Sequence, residues 1–592
     1  MLFVCYVCQG EENTTNNGEI ILKRSDVVFM AGAELEVYKL YGATGVAWGG
    51  GPKDEEEVDK WKERIRQIHE MGIRYICSNA WMLTATCKAL AEDPGLRKAV
   101  CVNIKGEPII VPWLWDQTYQ GVPTYWCCTN NPRFREHLRN QVILAIKAGA
   151  DGLHLDDHLG TAATLFSQRP GCLCDFCIKR FRKYLKNRYT PEELKEKGIE
   201  EIENFNYREI VSKVTDPSHE KIPLFDEYQT FQLKAAAALV KELGDLAKKL
   251  KGKFIPISAN AFGLLPHHLV DSHYLDYFVA EVPHYPQEGR TPIYPIFVYK
   301  LADALGKPLA ATASGWDWAY VKEKNLTTLV KVWIALSYAF GHRFMVPHRQ
   351  WCFTEEKGTH WYYGPIEEYA PLYQFVRQNA VLFDHYEAVE QVGVLYSNLA
   401  FRRGYRAALD ICEHLLNTNI PFGLAVAGDD WLLKRLTEEE LSRFEMILVP
   451  EPIMLKGEQK HLLDKWRAKG KVLSWEDGKE KYVIQHIIST VSLESGRNVL
   501  VLPRKIPDKP DTPIVCHILN RDYNASEDKM NRQNNVTIRL SYKLFDGKKL
   551  CKAMLFSPES KPTQLSFETR SNGVYITIPE LTLWSVIKLD RT

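Results

Sequence analysis

The sequence predicts an α/β protein: a (β/α)8 TIM barrel, then a small doubly wound α/β domain, then a C-terminal all-β sandwich. Three observations carry that expectation. Strand-like and helix-like segments alternate from about residue 26 to 365. Shorter strand–helix repeats resume after 388, and the last stretch shows period-two strands punctuated by Pro and Gly.

Candidate barrel strands are Thr44–Trp48, Ile73–Cys77, one near Val111, Gly152–Asp156, Phe254–Ser258, Tyr277–Val282, Leu309–Ala313 and Phe344–Pro347. Amphipathic helices such as Glu55–Met71 and Arg133–Ala148 lie between them. The expected units are a polar N-terminal tail over 1–25, the barrel over 26–387 with a Cys-rich insertion at about 160–225, the α/β domain over 388–505 and the sandwich over 506–592. The middle unit reads as strands Val392–Tyr396, Phe422–Val426, Met446–Pro450 and Lys471–Trp475 separated by helices. It holds no nucleophile elbow and no Gly loop able to cradle phosphate. Sandwich strands are expected at Ile514–Asn520, Asn535–Ser541, Lys552–Ser557, Gly573–Pro579 and Leu583–Leu589.

Charge narrows the partners. Lys plus Arg (75) nearly cancels Asp plus Glu (74), so neither nucleic acid nor an anionic membrane is the expected partner. No apolar run is long enough to cross a bilayer. Fourteen cysteines in 592 residues do not make a disulfide scaffold; Cys77, Cys87, Cys101, Cys352, Cys412, Cys516 and Cys551 read as buried reduced thiols, and the expected compartment is the cytoplasm, with secretion the alternative.

The most informative stretch is Gly149–Gly160, where the short apolar strand around Leu153 and Leu155 ends in Asp156-Asp157-His158-Leu159-Gly160. A strand that delivers carboxylates to its C-terminal tip and breaks into a Gly-containing loop is how a barrel builds an active site. Paired carboxylates there suggest bond-breaking at an acetal. Alternation puts Leu153 and Leu155 on one side and His154 and Asp156 on the other. Only one of Asp156 and Asp157 can then face the barrel mouth; Asp157 is expected to hold a loop or a substrate hydroxyl, and His154 to be a hydrogen-bonded core residue.

Cys172-x-Cys174-x-x-Cys177, on a loop entering a helix, offers three soft ligands to a structural zinc ion. The fourth is expected from Cys128, which precedes the helix leading into the Asp156 strand. A centre closed by four thiolates is structural rather than catalytic.

Cys128-x-Asn130-x-Pro132 with Phe134-Arg135, the strand ending in Leu155-Asp156, and the Cys triplet followed by Phe181-Arg182-Lys183-Tyr184 resemble glycoside hydrolase family 42, the zinc-containing β-galactosidases. The resemblance implies a carbohydrate substrate and a middle domain of the trimerisation type (glutamine-amidotransferase-like), hence a homo-oligomer, dimer or trimer. One departure matters. Where that family carries Asn-Glu, with the Glu as acid/base, this chain has Asp157-His158. The tip instead resembles family 66-type α-acting barrels, which show D-G-x-H-x-D followed by L-G. That pattern implies Asp156 as nucleophile and a Glu two strands later as acid/base, the position of Glu281. Its apolar neighbours Phe278, Val279, Ala280 and Val282 should raise its pKa, as a general acid needs.

Sugar rings stack on aromatic faces and take polar forks on their hydroxyls. The expected mouth offers Trp48, Asn79, Trp81, Asn260, His284, Tyr285, Trp316, Trp318, His348, Arg349 and Trp351, with Asp317 as reserve acid. The resulting expectation is a retaining glycoside hydrolase. Its rivals are a β-galactosidase with relocated catalytic groups and a carbohydrate-binding barrel without chemistry.

Overall fold

The computed structural model describes residues 22–217, 220–476 and 487–592. Residues 1–21 of the expected polar tail lie outside the described residues. Residues 22–25 do not form a tail. Leu22 is buried, and the sunken Arg343 guanidinium donates to the Leu22 and Lys23 carbonyls at 2.5 and 2.8 Å.

Eight parallel strands dominate the first unit: β1 (Val28–Phe29), β2 (Gly45–Gly49), β3 (Arg74–Cys77), β4 (Gly152–Leu155), β5 (Ile257–Ala259), β6 (Phe278–Val282), β7 (Leu309–Ala313) and β8 (Arg343–Phe344). They form a curled five-stranded sheet, β1-β2-β3-β4-β5, and a three-stranded sheet, β8-β7-β6. One parallel bridge spans each seam, Asn260 to Val279 and Phe29 to Val346. Both faces of these strands are covered, so they read as nearly continuous apolar runs such as β7, Leu-Ala-Ala-Thr-Ala.

Two features differ from expectation. The strand expected near Val111 is absent. Val111 enters a 3-10 turn at Pro112–Leu114 within an antiparallel excursion (Val100 to Cys127, Ile110 to Tyr125). Pro108, Pro112 and Pro123 each lack the N–H that a central strand requires. The missing member is β1, whose two apolar residues are too few to show a period.

The connecting helices follow the apolar spacing of the sequence. Helix Pro132–Lys147 starts with Asn131, whose side chain accepts from the Arg133 N–H, and has proline at its first position. It buries Phe134, Leu138, Val142 and Ala145 along one face. Each large apolar side chain so buried contributes about 1.5–3 kcal/mol. After β4 the chain leaves the sheet in a long excursion with its own apolar core around Phe181, Tyr207, Tyr228 and Phe231. It returns to β5 through the 27-residue helix Phe225–Lys251.

The second unit is a four-stranded parallel sheet ordered Phe422–Ala427, Val392–Ser397, Met446–Pro450, Val472–Trp475. The third packs a six-stranded sheet against a four-stranded one over a core including Val501, Ile518, Ile538 and Ile587. Val491–Ser495 and Val499–Lys505 belong to these antiparallel sheets, so the β unit starts before the expected boundary at 506. Fully buried Trp584 fixes it to the first unit, packing on Phe375 at 5.3 Å and Phe383 at 5.7 Å.

Gly152 opens β4 where β5 passes closest. A β-carbon there would stand 2.5 Å from the Pro256 carbonyl oxygen and 2.9 Å from Ile76. Gly152→Ala should therefore destabilise the first unit by about 1–3 kcal/mol, measured as a lower urea midpoint.

Candidate active site

The C-terminal ends of β4 and β6 bring three carboxylates together. Strand β4 stops at Leu155 and Asp157 takes a left-handed φ of 47°, so side-chain alternation lapses there. Asp156 and Asp157 therefore do not diverge to opposite sides. Both lie within electrostatic reach of Glu281. The Asp157 N–H donates to Asp156 Oδ1 at 2.9 Å, and the Asp156 carbonyl accepts from Met82 N–H at 3.1 Å. The turn closes at Gly160, φ 49°, where a β-carbon would stand 2.5 Å from Thr129 Cγ2.

Indole N–H groups hold this acidic cluster. Trp81 Nε1 donates to Asp157 Oδ2 at 3.1 Å, and the Trp48 indole donates to Asp156. On β6, Asn260 Oδ1 accepts the Glu281 N–H at 3.3 Å, and its amide also bonds the Glu281 carboxyl.

All three carboxylates are half-buried and shifted upward. Burial and then the Asp157 charge push Glu281 up to about 8, against its hydrogen bond from Asn260. Burial raises Asp157 to about 6, opposed by Trp81. Burial, Asp157 and Glu281 together raise Asp156. Like charges so close do not all ionise, and Glu281 keeps its proton at neutral pH while a neighbour can lose one. Such a pair can donate a proton and attack or stabilise an electron-poor carbon.

The expected ring of sugar ligands is only partly assembled. Trp48 and Trp81 are half-buried beside the carboxylates. Asn79 donates to the Pro52 carbonyl at 2.8 Å and leaves Oδ1 unpartnered. His348 and Arg349 follow β8, with His348 Nδ1 and Arg349 Nε unpartnered and Arg349 lying 3.9 Å over Trp361. Trp351 is half-buried against Gly315, while Trp316 is half exposed.

Three expected contacts are instead internal. His284 is fully buried, with Nδ1 2.6 Å from the Val282 carbonyl and its ring on Trp333. Asp317 is neither a free ligand nor a spare acid. Its oxygens accept from the His284, Tyr285 and Ser314 N–H groups and the Ser314 hydroxyl. Trp318 is buried and donates to Thr312 Oγ1 at 3.0 Å. Asn260, also buried, serves Glu281 directly.

His158 lies sealed beneath the loop, 2.5 Å from Asp271 Oδ2 and 3.0 Å from His268 Nδ1. Asp271, 113 positions along the chain, carried no sequence signal. His154 bonds Ser258 Oγ at 3.0 Å and packs on Trp48 as a core residue.

The sulfur atoms of Cys128, Cys172, Cys174 and Cys177 all lie within 4.8 Å of one another. Cys128 stands 3.4 Å from Cys174 and 3.5 Å from Cys177. Four thiolates around a zinc ion, with Zn–S about 2.3 Å, are about 3.8 Å apart, so the spacing suits such an ion. The Asn130 amide donates to Cys177 Sγ at 3.3 Å, as a supporting group for a thiolate would. Cys101, read as an ordinary buried thiol, also hydrogen-bonds within the cluster.

Glu281→Gln isolates the electrostatic cost of the buried carboxyl. The folded state holds the Glu281 proton up to about 8 and the unfolded chain releases it near 4.5, so the parent loses stability as pH rises between those values. The variant should melt at least about 2 °C above the parent at pH 8, with the gap closing towards pH 5.

No family model matches the chain. It is 24% identical to the α-agarase of Thalassotalea agarivorans and 21% to that of Alteromonas agarilytica, over 96% and 93% of its own length. It spans about 40% of the length of these curated relatives. Among solved structures it is similar to α-L-fucosidase isoenzyme 2 from Paenibacillus thiaminolyticus, with TM-score 0.62 and 12% identity, covering 96% of this chain and 100% of that one. A β-galactosidase from the psychrophilic Marinomonas ef1 gives TM-score 0.56 and 10% identity over 95% of this chain and 100% of that one. The expected likeness to glycoside hydrolases thus holds at the level of fold along nearly the whole chain.

Proposed function

We propose that the chain is a retaining glycoside hydrolase whose two curled sheets act as one (β/α)8 barrel. The observation that carries this reading is the approach of Asp156, Asp157 and Glu281 at the C-terminal ends of β4 and β6, with Glu281 holding its proton up to about 8. Glu281 protonates the departing glycosidic oxygen while Asp156 attacks the anomeric carbon. Glu281, now a carboxylate, takes a proton from the water that displaces Asp156, which regenerates both groups. Asp157, held by Trp81, fixes a substrate hydroxyl and the loop. Kinship with α-agarases directs the proposal towards α-linked bonds in an agar-type galactan.

The four-cysteine centre suits zinc in a purely structural role. Cys128 and Cys172–Cys177 would hold the ion, tying the β4 excursion to the loop before helix Pro132–Lys147. A closed tetrahedron of thiolates leaves no position for substrate.

Asp156→Ala should abolish turnover of activated aryl galactosides by about 10³-fold or more; residual activity near the parent's would remove Asp156 from the mechanism. Comparing α- with β-nitrophenyl galactosides, and following the first-formed anomer by NMR, separates the α-acting reading from a β-galactosidase with relocated groups. For the parent, kcat/KM should fall as pH rises through about 8, where Glu281 loses its proton. Elemental analysis should find one zinc per chain, and stripping it with a chelator should lower the melting temperature. Zinc-free protein with an unchanged melting point would refute the centre.

A further inference from the structure

A second cleft, of about 730 Å³, opens where the β4 excursion, the loop after β5 and the second unit meet. Phe166 is exposed and stacks on His267, with centroids 3.9 Å apart and planes 19° from parallel. Exposed Tyr405, from the second unit, also lines the cleft with Arg402, Arg403 and Arg406. Arg402 lies 3.5 Å over the Trp431 ring and pairs with Asp429 at 2.7 Å, so its charge is compensated. Arg403 and Arg406 are exposed and make no ion pair among the described residues; Arg406 rests on Phe401 at 4.6 Å. Among the described residues the one carboxylate lining the cleft is Asp226, which leaves an excess of positive charge.

Aromatic faces bind the apolar faces of sugar rings, and guanidinium forks bind oxyanions bidentately. A neutral saccharide needs the first and gains little from uncompensated arginines. Buried side chains link the wall of the cleft to the carboxylate loop. His267 precedes His268, which bonds His158 next to Asp157. Arg406 is within electrostatic reach of Tyr285, four residues after Glu281.

We propose that this cleft is a remote subsite for a polysaccharide stretch bearing sulfate esters, gripped by Arg403 and Arg406 between the rings of Phe166 and Tyr405. This rests on reading the protein as an enzyme of galactan chains.

The test uses the full chain carrying Asp156→Asn, so that polymer is not consumed, with a sulfated galactan and the same galactan after chemical desulfation as probes. At low salt the sulfated polymer should bind about tenfold more tightly, and the preference should shrink as salt screens the contact. Adding Arg403→Ala and Arg406→Ala should bring the two affinities within about twofold, at an unchanged melting temperature. Arg403→Lys with Arg406→Lys should restore part of the preference, because it keeps charge and loses the fork. Equal binding of both polymers, or a preference that survives the double alanine variant, overturns the proposal. If the parent hydrolyses an aryl galactoside but binds neither polymer, the cleft falls and the active-site reading stands. Sulfate-dependent binding by a protein inert towards every galactoside supports the cleft and defeats the roles given to Asp156 and Glu281.

Discussion

Crowding of three half-buried carboxylates is the constraint around which the first unit is organised. Asp156, Asp157 and Glu281 share one small region; burial shifts all three upward, and neighbouring carboxylates add to the shift at Asp156 and Glu281. Such a cluster persists only where donors compensate it. Here the donors are two indoles and an amide, Trp48, Trp81 and Asn260, none of which adds a titratable charge. Burial near the end of a strand, among Phe278, Val279, Ala280 and Val282, holds Glu281 protonated up to about 8.

Placement of the cluster depends on the loop after β4, and the loop is tied to the cysteine centre by a short chain of hydrogen bonds. The Gly160 N–H donates to the Asp157 carbonyl at 2.8 Å. Thr161 Oγ1 accepts from the Thr129 N–H at 2.7 Å, and Thr129 follows Cys128 directly. The Tyr228 hydroxyl donates to the Cys172 carbonyl, which anchors the helix returning to β5. A metal-sized knot of sulfur thus sits one loop away from the carboxylates and stiffens their support without touching them. The buried Asp271–His158–His268 chain does the same from below.

The units beyond the parallel strands are not loosely attached. Trp584 reaches from the β unit into the aromatic cluster of Phe375 and Phe383, and the second unit supplies one wall of the arginine-lined cleft. Large apolar and aromatic contacts of this kind fix relative orientation better than exposed ion pairs do. The proposed chemistry at the strand ends and the proposed recognition in the cleft would thus share one frame.

The sequence by itself determined the elements. Apolar runs flanked by Gly and Pro marked seven of the eight parallel strands, and the strand tip at Asp156 and the strand around Glu281 were legible as places for carboxylates. Cys172-x-Cys174-x-x-Cys177 was legible from its spacing and Cys128 from its place before the helix leading into the Asp156 strand, and these four sulfurs do converge. Tertiary structure decided what spacing cannot encode. Two-residue β1 was invisible because a period needs more residues to be read, and Val111 misled because its prolines act through absent N–H groups. His284 and Asp317 looked like mouth residues by position, yet one side chain points into the core and the other is spent on backbone donors. Asp157 joined Asp156 only because a left-handed turn cancelled the alternation a strand would have imposed. Partners such as Asp271 for His158 meet across more than a hundred residues, a pairing set by strand order and not by any local pattern.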